Sequence, residues 1–199
     1  MVPPGGSPRT PASHTRERIQ SAALELFAAQ GLQQTSMRQI ADRLGLTKPA
    51  LYYHFASREE LVRSLVQPLV DDVEELLARV EAQDADDAAG PRPVLEAFFD
   101  ITYRHRAINQ LAVRELSALA YLDLGTRVVG WRHRLTTLLV GADADLAART
   151  RAVVAAGGLA DCIVMFPEVS LDDLRTPAID AACAALVGDP TPPRDTVRG

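Results

Sequence analysis

The sequence has few cysteines and no long apolar run. Cys162 and Cys183 are the two thiols among 199 residues, and each stands alone in an apolar segment. Such thiols are typical of buried small side chains in a reducing compartment rather than of a disulfide. The apolar stretches are too often interrupted by charges to span a bilayer, and the start lacks the basic and apolar regions of a secretion signal. We therefore expect a cytoplasmic protein with no membrane partner.

The residue patterns of common enzymes are also missing. The four histidines are far apart and form no HExxH or similar metal-ligand spacing. The chain has no phosphate-binding glycine loop, no dinucleotide fingerprint after a strand and no GxSxG nucleophile motif. The sequence predicts no catalytic residue, no metal site and no cofactor. An enzyme that uses a helical cavity is the last of the alternatives.

Strand patterns are scarce, whereas helical ones are frequent. Aromatic residues make up 5% of the chain, and no run alternates apolar and polar residues as a strand would. Leucine, alanine and valine recur at helical spacing, so the expected fold class is all-α. Residues 1–66 carry eight basic and five acidic side chains, net +3, whereas the remainder carries −8. A protein with a basic amino-terminal part and an acidic remainder can bind a polyanion through its basic face.

Capping signals specify a helix-turn-helix near the start of the chain. Ser36 and Gln39 match a capping box at the beginning of a short helix. Gly45 can close that helix in the left-handed conformation, and Thr47 can cap the next helix, whose first turn tolerates Pro49. A short helix, a tight glycine turn and a second short helix form a helix-turn-helix.

The second helix of this motif has the composition of a nucleic-acid contact. Leu51 and Phe55 lie one turn apart and can face a core. The residues left for the outer side or its rim are Lys48, Ala50, Tyr52, Tyr53 and His54. Adjacent exposed tyrosines suit phosphate and sugar contacts, and Lys48, the only lysine in the chain, adds a cation. The helix therefore predicts binding to a nucleic-acid backbone.

Two longer helices flank the motif. Residues 16–30 repeat apolar side chains at helical spacing and end before Gly31. Ser57 and Glu60 match a second capping box, after which a long helix leads away from the motif. Pro68 lies inside that long helix, so we expect a kink or a break there.

Together these segments resemble a known family. The matching segments are 16–19, 22–28 with Gly31, 35–41, 44–46, 48–55 and 57–61. Over them the chain resembles the TetR (tetracycline-repressor-like) family of bacterial transcriptional regulators, with Pro49 standing where glycine or alanine is commoner. The resemblance covers roughly the first third of the chain. It implies an amino-terminal three-helix DNA-binding domain joined by a long helix to a helical ligand-binding and dimerisation domain.

The resemblance also implies a function. A homodimer would bind a palindromic double-stranded DNA operator, most simply as a repressor, and a small-molecule effector of unknown identity would release it. The positions that meet DNA would be Ser36, Arg38, Thr47, Lys48, Pro49, Ala50, Tyr52, Tyr53, His54 and Arg58. Arg38 is expected to reach a guanine edge and Arg58 a phosphate. A helical adaptor that acts through protein contacts without DNA binding remains the alternative.

Composition divides the chain further. We expect disordered tails at 1–13 and 189–199, a DNA-binding domain at 14–60 and an effector-binding and dimerisation domain at 61–188. An acidic connector covers 82–92. The helices expected after it are 93–107, 109–120, 125–140, 143–166 and 176–187. Thr176 and Pro177 form a cap followed by proline, which is typical of a helix start.

The last two expected helices carry stripes of small and apolar residues, as a subunit interface does. The stripes consist of Val153, Gly157, Ala160, Val164, Ile179, Ala182 and Leu186. Packing within one chain is the alternative for these stripes. If the family pattern holds, the middle helices enclose the effector, and the candidate contacts are Phe98, Tyr103, Arg114, Trp131 and Arg134.

Overall fold

The computed structural model describes residues 11–82, 90–114 and 124–187. Within these ranges the chain forms helices and no strand, which confirms the expected all-α class. The helices are α1 (Pro11–Gln30), α2 (Met37–Leu44), α3 (Lys48–His54), α4 (Arg58–Glu81), α5 (Pro91–Arg104), α6 (Arg106–Arg114), α7 (Leu124–Val140), α8 (Leu146–Met165) and α9 (Leu171–Val187). In the described part of the chain, no helix combines the length and apolarity that a membrane crossing requires.

Several expected boundaries differ from the observed ones. Because α1 begins at Pro11, the disordered tail expected up to residue 13 is wrong for 11–13. The helix expected at 93 begins two residues earlier, at Pro91, directly after Gly90 in a positive-φ conformation (φ 76°). The remaining tail residues, most of the acidic connector and the end of the helix expected at 109–120 lie outside the described residues.

The last helix starts earlier than its proline suggests. The expected start at Thr176 and Pro177 is wrong, because α9 begins at Leu171 and Pro177 lies inside it. The Ser170 hydroxyl accepts a hydrogen bond from the Asp173 backbone N–H at 3.2 Å, which caps the helix well before the proline. A side-chain cap and the buried Leu174 therefore decide the start of this helix.

The helices belong to two compact units. The first comprises the described residues of 11–70, 107–114 and 124–125, and the second those of 71–106 and 126–187. One apolar cluster fills the first unit, and its largest members include Ile19, Phe27, Leu32, Ile40, Leu51, Phe55, Leu61, Ile108 and Leu111. The last two come from α6, which sequence patterns did not assign to this core. The helix-turn-helix therefore packs against α1, which precedes it in the sequence, and against α6, which follows much later.

Helix α4 is continuous through Pro68. Of the expected kink or break, the break is therefore wrong and the kink stays a prediction. A proline lacks the N–H that would bond to the carbonyl four residues earlier, which is that of Ser64. The side-chain amide of Gln20 on α1 donates to this Ser64 carbonyl oxygen at 3.3 Å and to the Ser64 hydroxyl at 3.0 Å. A side chain from α1 therefore satisfies the acceptor that Pro68 leaves open.

In the second unit, α5, α8 and α9 pack together around apolar side chains. The buried residues of these helices include Leu95, Phe98, Phe99, Ala155, Leu159, Ile163, Leu174 and Ile179. At the rim, the Arg175 guanidinium donates to both carboxylate oxygens of Asp100, at 2.8 and 3.1 Å. Such a two-point contact fixes α9 against α5 in direction as well as in position.

Candidate nucleic-acid interface

The turn between α2 and α3 has the predicted chemistry. The Ser36 hydroxyl accepts from the Gln39 backbone N–H at 3.2 Å, and the Gln39 side-chain oxygen accepts from the Ser36 backbone N–H at 2.7 Å, which confirms the capping box. Gly45 closes α2 in the left-handed conformation (φ 65°), as predicted. The Leu46 N–H then bonds to the Ala41 carbonyl at 2.9 Å, so α2 ends in a sharp turn.

Helix α3 is fixed at its start and anchored by two side chains. The Thr47 hydroxyl accepts from the Ala50 backbone N–H at 3.3 Å, and Pro49 occupies the first turn, both as predicted. Leu51 and Phe55 are completely buried in the cluster of the first unit. This burial fixes which side of α3 is directed away from the core.

The outer side of α3 presents the two tyrosines. Tyr53 is 83% exposed and Tyr52 is 39% exposed. The Lys48 Nζ lies 5.7 Å from the centre of the Tyr52 ring, and the Tyr53 ring meets the His54 ring edge-on with centres 5.3 Å apart. These four side chains form a cationic and aromatic strip, which can contact phosphates and sugars.

Of the ten positions implied to meet DNA, most are open to solvent. The exposed ones are Ser36, Arg38, Thr47, Lys48, Pro49, Tyr52 and Tyr53, and the half-exposed ones are Ala50, His54 and Arg58. The Arg38 side chain is 83% exposed and lies 3.6 Å from the Asp42 carboxylate. An exposed pair of this kind contributes little free energy, so Arg38 can leave Asp42 at small cost.

Arg58 at the start of α4 differs from the other basic residues of the unit. Its Nη2 atom is buried and has no hydrogen-bond partner among the residues that the structure describes. A buried donor without a partner raises the free energy of the folded state. An acceptor from outside the described chain would remove this cost.

Sequence patterns missed the side chains that hold the end of α3. The second capping box is half formed: the Glu60 backbone N–H donates to the Ser57 hydroxyl at 3.1 Å, but the Glu60 carboxylate accepts from the Ala56 N–H at 2.8 Å instead. Arg16 reaches the His54 carbonyl from α1. The Arg16 contact joins residues far apart in sequence, so spacing alone does not reveal it.

The candidate effector residues are distributed unevenly. In the second unit the Phe98 and Trp131 rings meet with centres 5.8 Å apart. The Tyr103 hydroxyl donates to the Val169 carbonyl at 3.3 Å. Arg134 donates to both carboxylate oxygens of Glu81, at 2.8 and 2.6 Å, and this contact lowers the pKa of Glu81. Arg114 belongs to α6, and its side chain lies outside the description.

Other polar groups of the second unit are also paired. The His105 ring nitrogen Nε2 lies 2.9 Å from the Asp72 carboxylate, and this hydrogen bond is the largest cause of the lowered pKa of Asp72. Arg104 adds a second contact to Asp72 at 3.0 Å. An open groove of about 530 Å³ lies elsewhere, between α1 and α2 of the first unit, and no candidate effector residue lines it.

Comparison with known proteins identifies the first unit. The family model described as "Bacterial regulatory proteins, tetR family" matches residues 19–65. Residues 19–65 thus form the amino-terminal domain of TetR-family regulators. The HTH-type transcriptional activator FasR of Mycolicibacterium smegmatis is 36% identical over 101 residues, which cover 49% of this chain and 46% of that protein. The repressor KstR2 of the same organism is 35% identical over 124 residues, 59% of this chain and 58% of that protein.

Solved structures of TetR-family proteins share the fold over a longer span. A transcriptional regulator from Aquifex aeolicus superposes with a TM-score of 0.69 at 23% identity, over 85% of this chain and 98% of that one. A TetR-like regulator from Rhodococcus sp. RHA1 does so with a TM-score of 0.65 at 25% identity, over 91% and 100%. By sequence, however, the chain spans about half the length of the curated relatives it matches. Sequence similarity to the curated relatives is therefore limited to part of the chain, whereas the similarity of fold to the solved structures extends over most of it.

Proposed function

We propose that this TetR-family protein regulates transcription by binding double-stranded DNA through α3. The observation that carries the proposal is the division of α3 into two sides. Leu51 and Phe55 are completely buried, whereas Tyr53 is exposed beside the Lys48 and Tyr52 pair. A capped helix anchored in this way can enter the major groove as a rigid element. The names of its relatives, all HTH-type regulators, support the same conclusion.

Within this proposal the exposed residues have different tasks. Arg38, which is open to solvent, reads a guanine edge, and the tyrosines and His54 bind the sugar–phosphate backbone. Arg58 turns toward a phosphate, which supplies the partner that its buried Nη2 lacks in the described chain. The remaining positions have small side chains, which allow the backbone to approach the DNA: they are Ser36, Thr47, Pro49 and Ala50.

We further propose that the protein acts as a homodimer on a palindromic operator. Exposed apolar residues on α8 and α9 or at their ends support it, since a monomer gains nothing from exposing them: they are Leu146, Val153, Val154, Met165, Phe166, Leu171 and Val187. Gly157, Ala160, Val164 and Leu186 are half-buried and can join such an interface. Ile179 and Ala182 are buried inside the protomer, so the proposed interface rests on their neighbours instead.

An effector that releases the DNA completes the proposal. Trp131, whose ring meets the buried Phe98, and Tyr103 are half-buried and offer aromatic surface for an apolar ligand in the second unit, whereas Phe98 itself is inside the core. Arg134 donates its Nε and Nη2 to Glu81, so its remaining N–H groups are the ones that can orient a polar group of the ligand. We take repression as the sign of regulation, with ligand binding and DNA binding opposing each other.

Selection of duplexes from a random pool tests the proposed function. The protein is expected to enrich a palindromic sequence, and a screen of metabolites against the selected duplex is expected to find compounds that release it. Enrichment of a single half-site would contradict the dimer, and no enrichment at low salt would contradict DNA binding. Compounds that strengthen binding instead of releasing the duplex would contradict the assigned sign of regulation.

A further inference from the structure

Helix α3 is too short to be stable without contacts from other elements. It comprises seven residues, Lys48–His54. Isolated helices below about 12 residues are marginal in water, and the last carbonyls of any helix lack helical partners. The last backbone bond at this end is that of the Phe55 N–H to the Leu51 carbonyl at 3.1 Å. The position of the outer tyrosines therefore depends on contacts that other elements make with the end of α3.

Arg16 on α1 makes three contacts at this end. Its Nη1 donates to the His54 carbonyl oxygen at 2.6 Å. Its guanidinium carbon lies 4.0 Å from the centre of the Phe55 ring, and its Nη2 lies 3.5 Å from the Glu60 carboxylate. The planar guanidinium thus bonds a carbonyl at the negative end of the helix dipole while it lies against the side chain that anchors the helix.

Glu60 extends the same network to the turn after α3. One carboxylate oxygen accepts from the Ala56 backbone N–H at 2.8 Å, and the other faces Arg16. The last residue of α3 and the turn that follows are therefore both held by side chains, one from α1 and one from α4. The burial of Phe55 under the Arg16 guanidinium limits how far the turn can move.

We propose that Arg16, assisted by Glu60, is a positioning residue for DNA recognition, which fixes the carboxyl end of α3 without touching DNA itself. The inference rests on the proposed DNA-binding function. If Arg16 acts through α3, its loss lets the end of the helix fray and spreads the Tyr52 and Tyr53 side chains over several positions. Binding then weakens because the helix must be ordered again on the DNA.

A direct phosphate contact is the competing role, because the Arg16 side chain is 41% exposed. The two roles differ in their salt dependence. Each phosphate contact contributes about 0.9 to the slope of log affinity against log salt concentration, so loss of a direct contact flattens the slope by that amount. Loss of a positioning residue lowers affinity equally at all salt concentrations. It also loosens α3 in the free protein, which a phosphate contact does not affect.

The test compares Arg16→Met, Arg16→Lys and the control Arg18→Met in the full chain. Arg18 lies on the same helix and is exposed. Its substitution removes the same positive charge as that of Arg16. Amide hydrogen exchange of Leu51 and Phe55 reports the order of α3 without DNA, and titration of a selected duplex at several salt concentrations reports binding. Circular dichroism verifies that each variant is folded.

Arg16→Met is expected to speed Phe55 exchange and to weaken duplex binding by roughly tenfold, with an unchanged salt slope. Arg16→Lys is expected to recover part of both losses, because the ammonium can reach the carbonyl but lacks the planar fork. Arg18→Met is expected to leave Phe55 exchange unchanged.

Other results would overturn the inference. Unchanged exchange with a slope flattened by about 0.9 would make Arg16 a phosphate contact instead. Unchanged exchange and affinity would remove it from recognition altogether. If the native protein binds no duplex, the proposed function fails together with the role in recognition, and the exchange arm still decides whether Arg16 holds α3.

Discussion

At the scale of single residues, the environment of each arginine decides what it can do. Arg38 is 83% exposed, and its partner Asp42 lies one helical turn away. The Arg16 guanidinium is engaged by a carbonyl, a ring and a carboxylate. Arg58 has a buried nitrogen without a partner in the described chain. Because these surroundings differ, we propose three different roles: Arg38 reads a base, Arg16 positions α3 and Arg58 binds a phosphate.

Arg38→Ala tests the proposed contact of Arg38 with a base. If Arg38 reads a guanine edge as proposed, the substitution is expected to relax base preference at one position of each half-site, at a cost of about 1–3 kcal/mol for the preferred duplex. The control is Arg79→Ala, which removes an exposed arginine from a similar i,i+4 pair with Glu75 in the second unit. Titration of duplexes that differ at single positions measures both. A uniform loss across all of these duplexes would assign Arg38 to the backbone.

At the scale of helices, local capping could be predicted and long-range contacts could not. The Ser36 and Thr47 caps involve side chains and N–H groups three residues apart, so sequence spacing contains them. The predicted start of α9 is wrong because a threonine and proline imitate a cap, whereas Ser170 provides the real one. The bond from Gln20 to Ser64 joins two helices across 44 residues, and no spacing rule predicts it.

The hydrogen bond from Gln20 to the Ser64 carbonyl is expected to stabilise α4. Gln20→Ala is expected to lower the free energy of unfolding by about 1 kcal/mol, because it leaves the Ser64 carbonyl without its donor. In a Pro68→Ala background the same substitution is expected to cost less, since residue 68 then supplies a helical N–H to that carbonyl. Urea unfolding of the four proteins gives the coupling. Equal costs in the two backgrounds would show that Gln20 does not compensate for the proline.

At the scale of the whole molecule, the family resemblance predicts more than residue patterns do. The all-helical class follows from apolar spacing, and the matches from Arg16 to Leu61 indicate the family. Two features depend on tertiary packing instead. Helix α6 contributes Ile108 and Leu111 to the core of the first unit, and Ile179 and Ala182 are buried within the protomer. Helical stripes show that a face is apolar but not which surface covers it.

Val153→Asp tests the proposed dimer. Val153 is 53% exposed on α8, so a carboxylate there costs the protomer little but opposes burial against a second copy. The variant is expected to sediment as a folded monomer and to lose affinity for the palindromic duplex. Val129→Asp, at an exposed apolar residue of α7, is the matched control and is expected to remain dimeric. If Val153→Asp stays dimeric, this part of α8 lies outside the interface.

Titration of a selected duplex with the native protein and with a variant in which Lys48, Tyr52 and Tyr53 are all alanine tests the central claim most directly. None of the three side chains belongs to the core cluster, so the variant is expected to fold normally. If α3 binds DNA through its outer side, the native protein binds the duplex with a steep salt dependence. The variant then loses most of its affinity and part of that salt dependence. Equal affinity of the two proteins at every salt concentration would contradict the account.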